Sequence, residues 1–201
     1  MSRRSRVAVT ALVALLAAPA AAAVRSSTAG APLTGDPAGL RLAREVNRAY
    51  ADVPGVRVDV SSNGAVVVRF TLVLRNGVAV AEQALVDEGG ERPTLLVRRE
   101  SEGTFVRDAN RSCWRSVPKS DPQELTDVGG PMLSGPGRVS KPRVAGGTVT
   151  LTLTREGRTS RLVVDRKTSR LRSMDAGRMV ARFTSLARRP ALPLPKPLCR
   201  S

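Results

Sequence analysis

Val56-Arg57-Val58-Asp59-Val60, Asn63-Gly64, Val66-Val67-Val68-Arg69-Phe70-Thr71-Leu72-Val73-Leu74 and Asn76-Gly77 follow one another within residues 56–77. Apolar residues at alternate positions give an extended strand one apolar face, because successive side chains point to opposite sides of a sheet. Val56, Val58 and Val60 alternate with Arg57 and Asp59, and Val66, Val68, Phe70, Leu72 and Leu74 line one face of a longer strand. Asn-Gly suits a two-residue hairpin turn, since both of its central residues take positive φ. Two such turns between period-two runs predict consecutive antiparallel strands, the next at Val78 to Val86.

The pattern upstream is helical. Asp36-Pro37 places an N-cap before a proline at the first helical position. Leu40, Ala43, Val46 or Asn47, and Tyr50 then fall on one face, and Val53-Pro54-Gly55 ends the helix. Downstream, a loop from Asp87 to Arg92 precedes strands at Pro93 to Ser101, at Thr104 to Asp108 and around Cys113-Trp114. Pro118 to Gly147 breaks the alternation: Ser120-Asp121-Pro122 starts a short helix ending near Val128, and Gly/Pro-rich loop follows. A connection of this length is usually functional or disordered. Alternation resumes at Val149, Leu151 and Leu153, and strands follow at Leu162 to Asp165, Leu171 to Asp175 and Arg178 to Leu186. The pattern is α+β, one N-terminal helix with a long antiparallel meander.

Residues 1–23 read as a cleaved export signal. Arg3, Arg4 and Arg6 form its basic end, Val7 to Ala18 its apolar run and Ala21-Ala22-Ala23 its cleavage site. The run is short for a bilayer of about 30 Å, and no cysteine near the cleavage point offers a lipid acceptor. The expected product is secreted and not lipidated. A flexible linker (24–35), a domain (36–188) and a proline-rich tail (189–201) follow. The paired state of the two cysteines, Cys113 and Cys199, is the simplest in an exported chain. Their disulfide ties the tail back and contributes roughly 4–5 kcal/mol in the chain-entropy model.

The formal net charge is +16, and with lysine only at 119, 141, 167 and 196 nearly all of the 33 basic side chains are arginines. They are scattered along strands and turns, which favours solvated strand faces; an anionic membrane surface is the functional alternative. Aromatic residues make up 2% of the chain, too few for base-stacking platforms, so nucleic acid is not an expected partner.

The chain resembles the LolA-like lipoprotein-carrier fold, including the lipid-carrying envelope proteins of the LppX and LprG type and the RseB-type stress sensors. The carrying features are the helix Leu40 to Tyr50, the turns Asn63-Gly64 and Asn76-Gly77, and two segments. These are Gly103-Thr104-Phe105-Val106-Arg107-Asp108 leading into Cys113-Trp114, and Leu162-Val163-Val164-Asp165-Arg166-Lys167-Thr168-Ser169-Arg170-Leu171. The resemblance covers residues 36–187. It implies a strongly curved sheet, a half-barrel wrapped around the helix, with an apolar cavity for acyl chains and no catalytic residues. The lipid-bearing cysteine of the lipoprotein members is missing.

The residues themselves offer little chemistry. The chain has no histidine, which removes the commonest general base and metal ligand. A serine nucleophile would then need a Ser–Lys pair, and none is expected. Glu100 and Glu102 read as turn residues, and Asp121, Glu124 and Asp127 as a helix face. No metal or cofactor is expected. Trp114 reads as a plug over the disulfide, with ligand contact as the alternative. The expected function is non-enzymatic binding of an acyl-chain or amphiphilic lipid by Leu40, Val46, Tyr50, Phe70, Leu72, Met132 and Leu133, with the last two on an exposed lid. The alternative is an RseB-like sensor docking on a membrane-bound envelope protein, and a third reading is a structural wall protein.

Overall fold

The computed structural model describes residues 33–86, 94–99, 103–107, 111–117, 133 and 135–199. The export signal, most of the linker, the loop 87–92, Glu100, Glu102, the helix expected at 120–128 and Met132 lie outside them. In chain order the elements are β1 (Leu33–Gly35), α1 (Pro37–Ala49), β2 (Gly55–Ser62), β3 (Ala65–Arg75), β4 (Val78–Val86), β5 (Thr94–Arg99), β6 (Gly103–Arg107) and β7 (Arg115–Val117). Then come β8 (Gly137–Val139), β9 (Arg143–Ala145), β10 (Thr148–Arg155), β11 (Arg158–Asp165), β12 (Leu171–Asp175) and β13 (Met179–Leu186).

All the strands join one 13-stranded sheet, in the order β1-β8-β10-β11-β12-β13-β2-β3-β4-β5-β6-β7, with β9 also on β10. The sheet is mixed only at its edge, where β1 runs parallel to β8. It is not closed into a barrel: β7 ends one side and β1 the other. The last strand pairs along its length with the first long one, Met179 opposite Ser62 through Leu186 opposite Gly55. The two sequence halves therefore meet in the middle of the sheet.

The turns form as their chemistry dictates. Asn63-Gly64 and Asn76-Gly77 take positive φ at both positions (52° and 85°, 52° and 77°), the conformation that fits the twist of a tight hairpin. The helix begins at Asp36, whose side chain accepts from the amides of Ala38 (2.9 Å) and Gly39 (3.1 Å), worth about 1 kcal/mol.

Three expectations need correction. The buried helix face is Gly39, Leu42, Ala43 and Val46, with Tyr50 as C-cap, while Leu40 is only half-buried. Gly39 sets this rotation: a Cβ there would lie 2.3 Å from the Ser140 carbonyl oxygen, so only glycine lets the helix approach that backbone. The linker does not run free to residue 35, because Leu33–Gly35 forms β1. The break expected through Gly147 contains β8 and β9, three-residue strands whose period is too brief to register in sequence.

The sheet carries apolar clusters on both faces. On the inner face, α1 supplies Leu42, Ala43 and Val46 to a core that includes Val58, Phe70, Ala84, Leu153, Leu162 and Met174. The second cluster is Val97 and Trp114, with Leu85 and Phe105 packed against them. Register places it on the opposite face. Val97 pairs with Gln83 and Phe105, one step out of phase with Ala84 of the inner core.

Candidate functional site

Five residues expected to face a ligand meet in one place. Val46, Tyr50, Phe70, Leu72 and Leu133 all belong to the inner cluster, and all are at most 8% exposed. Leu40 packs against that cluster from its margin. Met132 lies outside the described residues.

Leu133 is not the exposed lid residue expected from the sequence. It is 4% exposed, and its backbone is clasped by the helix. The Asn47 amide nitrogen donates to the Leu133 carbonyl, and the Leu133 amide donates to Asn47 Oδ1, each at 2.8 Å. A side-chain amide satisfying both polar groups of one residue is a strand-like pairing made by a helix. It fixes the chain leading into β8 against the inner face.

Tyr50 lies at the bottom of this region with 0% exposure. No hydrogen bond of normal geometry reaches its hydroxyl. Burial pushes its pKa up to about 12, against the opposing pull of the Leu171 backbone and Arg170. A buried hydroxyl without a partner costs about 1–3 kcal/mol. Ser61 Oγ is buried and unpartnered as well.

The outer cluster is organised around the tail. Cys113 and Cys199 form a disulfide, with Cα atoms 5.0 Å apart. Between them Trp114 donates its amide to the Pro197 carbonyl (2.9 Å) and accepts from the Cys199 amide (2.8 Å). Trp114 is 2% exposed, and the Arg107 guanidinium stands 5.2 Å from its ring centroid. The strand expected at Cys113-Trp114 begins one residue later, because Trp114 bridges to Leu198 of the tail. The core-plug reading of Trp114 fits this geometry. Pro190 anchors the tail's other end over Gly55, where a Cβ would lie 2.6 Å from the Pro190 ring. From β2 to β7 the sheet is ~24 Å across if flat, within the ~26–29 Å that eight residues can reach when extended.

A feature that sequence reasoning missed lies at the β1 edge of the sheet. Two clefts of about 570 and 750 Å³ share Ser140, Lys141 and Thr152. They exist because the chain bows away from β10 between β8 and β9. Ser140 Oγ takes the Thr152 amide (2.9 Å) in place of a backbone carbonyl, and Pro142 has no amide to offer. The first cleft also touches Val139 and the second Leu151, both core residues. The cations Arg138, Lys141, Arg143 and Arg161 line them. Scattered arginines gave no sequence signal for this, since only the fold brings residues 138–143 beside residue 161.

No constellation for catalysis or metal binding emerges. Among the described residues there is no cluster of three metal-ligating side chains, and no helix is long and apolar enough to cross a membrane. One spacing escaped the sequence reading: Ser116-Val117-Pro118-Lys119 is a Ser-x-x-Lys tetrad. Ser116 sits on strand β7, whereas that spacing puts serine and lysine on one face only in a helix. Lys119 lies outside the described residues.

No protein-family model and no curated protein matches the chain. Among solved structures it is similar to a LolA superfamily protein from Nitrosomonas europaea, at 8% identity and a TM-score of 0.34, over 79% of this chain and 96% of that one.

Proposed function

We propose that this is a secreted, non-enzymatic binding protein for an acyl-chain lipid or similar amphiphile of the cell envelope, with its export signal removed and no lipid anchor. The observation that carries the reading is a mismatch of areas. Eight adjacent strands, from β8 to β4, contribute to the inner cluster, a width of ~34 Å if flat. The single helix facing them is ~10–12 Å in diameter. The family resemblance implies a sheet curled around the helix, which would let one helix serve a cluster this wide. That cluster is buried, each of its residues at most 9% exposed, so a ligand would reach it by parting the helix from the sheet. Val46, Tyr50, Phe70 and Leu72 are the wall against which an acyl chain packs, and Leu40 and Leu133 border its entry. The partnerless Tyr50 hydroxyl is a polar group a ligand's carbonyl or ester oxygen would satisfy.

The test is native mass spectrometry of the protein purified from its own host, followed by titration with a fluorescent fatty acid. A lipid-sized mass adduct, or probe uptake competed by extracted lipid, supports the proposal. A stoichiometric protein partner without lipid overturns it in favour of an envelope sensor. A bare chain that takes up no probe overturns both.

A further inference from the structure

We propose that the paired clefts at the corner of β8, β9, β10 and β11 form a binding site for a phosphate-type oxyanion, presented by a lipid headgroup or free in solution. The lipid source rests on the function proposed above; the anion chemistry does not.

This corner is distinguished by four cations lining two adjoining clefts. Elsewhere on the sheet some arginines are answered by acids, as Arg69 is by Asp59 at 2.5 Å and Arg172 by Asp165. Others, such as Arg57, Arg75 and Arg182, have no ion pair among the described residues but line neither cleft. At the corner, the side chains of Arg138, Lys141, Arg143 and Arg161 have no ion pair or hydrogen bond among the described residues. Two carboxylates stand near and both are engaged. Asp36 lines the first cleft, but its Oδ1 caps the helix amides of Ala38 and Gly39. Asp175 is in register with Arg161, but its Oδ1 accepts from the Gly177 amide at 3.0 Å.

The shape suits the chemistry. Each cleft lies within the roughly 300–1,000 Å³ of small-ligand pockets. Arg138 on β8 lines the first cleft and Arg143 on β9 and Arg161 on β11 line the second, with Lys141, from the bow between β8 and β9, common to both. Arginine presents paired donors that match phosphate oxygens, and charge-assisted hydrogen bonds are about twice as strong as neutral ones. Thr152 adds a hydroxyl from β10, while that of Thr150 donates to the Arg143 carbonyl. Val139 and Leu151 border the clefts but are at most 2% exposed, so the polar side chains at the alternate positions of the same strands form the binding surface.

The experiment uses the mature chain with two probes, sodium pyrophosphate by calorimetry and vesicles by co-sedimentation. The vesicles are phosphatidylcholine alone or with phosphatidylglycerol at three to one. Arg138→Gln, Arg143→Gln and Arg161→Gln together are compared with Arg178→Gln, Arg188→Gln and Arg189→Gln, which remove the same charge from other exposed positions. All six side chains are exposed, so both triple variants should fold, which circular dichroism checks. We expect the corner variant to bind the anionic probe at least ~10-fold more weakly and the control less than ~2-fold, since each lost charge-assisted bond matters only at the site. Loss with pyrophosphate alone supports the site and assigns it to a free anion. Loss with phosphatidylglycerol vesicles alone supports it and assigns it to a headgroup. Equal loss in both variants reveals charge attraction without a site and overturns the inference, as does binding of neither probe by the unaltered protein. Cleft-dependent pyrophosphate binding by a chain that carries no lipid would leave this inference standing while the lipid-carrier function fell.

Discussion

The two apolar clusters of this sheet are buried by different means. The inner one is covered by α1, which brings Leu42, Ala43, Val46 and Tyr50 against strands from both sequence halves. The outer one, Val97 and Trp114 with Leu85 and Phe105, sits near an edge where the tail arrives as an extended strap tied by a disulfide. A helix covers a face because its own side chains fill space. An irregular tail fills less space than a helix and meets Trp114 through two backbone hydrogen bonds, and the disulfide pins it there. The inner cluster is thus held by packing, and the outer one by chain connectivity.

The largest expected effect tests the packing side. Leu162 is fully buried in the inner cluster, and Leu162→Ala should lower stability by about 2–5 kcal/mol. The midpoint of urea unfolding should fall with the slope unchanged; a changed slope would mean that the inner face is not part of one cooperative unit. Removing the strap's pin comes next. Cys199→Ser should cost about 2–4 kcal/mol and speed amide exchange at Trp114 and Cys199, leaving Val46 and Leu162 protected. If the inner strands loosened equally, the two regions would be one unit and the distinction between them would fail.

Asn47→Ala sharpens the comparison from the helix side. It removes both hydrogen bonds to Leu133 and should cost about 1–3 kcal/mol. Exchange of the Leu133 amide should rise while the outer cluster is unaffected; unchanged exchange there would refute the clasp.

The smallest effects lie at the extremes of pH and have opposite signs. Tyr50 holds its proton to about pH 12 in the fold, above the ordinary value near 10. The unfolded chain ionises first, so stability falls as pH rises from ~10 to ~12. Tyr50→Phe should abolish that fall, as thermal melts across the range would reveal. Asp165 runs the other way. The Arg172 guanidinium, aided by the Thr168 amide and hydroxyl, holds its carboxyl down at about 2. Its contribution is present above the ordinary carboxylate range, near 4, and is lost as pH falls towards 2. Arg172→Ala should flatten that acid limb, and an unaltered limb would show the pair to be without consequence.

Much of the inner region was legible in the sequence, because the alternation of Val56 to Leu74 and the two Asn-Gly turns are local signals. The helix start at Asp36-Pro37 was legible for the same reason. The rotation of that helix was not. Leu40 looked like part of its buried face, but the approach of Gly39 to Ser140 turns Leu42 inward instead, a contact between segments a hundred residues apart. Leu133 looked like lid because glycine and proline surround it, and nothing nearby announced its pairing with Asn47. The disulfide followed from counting cysteines, yet the face it defends depends on strand register. The cationic corner was illegible, since Arg138, Arg143 and Arg161 are ordinary strand arginines until β8, β9 and β11 are folded around β10.

The bond between Cys113 and Cys199 also decides how the molecule would respond to a pull. Traction applied at Leu33 and Cys199 runs along the chain to Cys113 and then crosses the sulfur atoms. Strands β7 to β13 form a closed loop off that line and bear no load along their backbone. Fully stretched, the oxidised molecule yields ~280 Å of chain, and the reduced one ~580 Å. Half of the sheet is therefore mechanically invisible until an electron pair arrives.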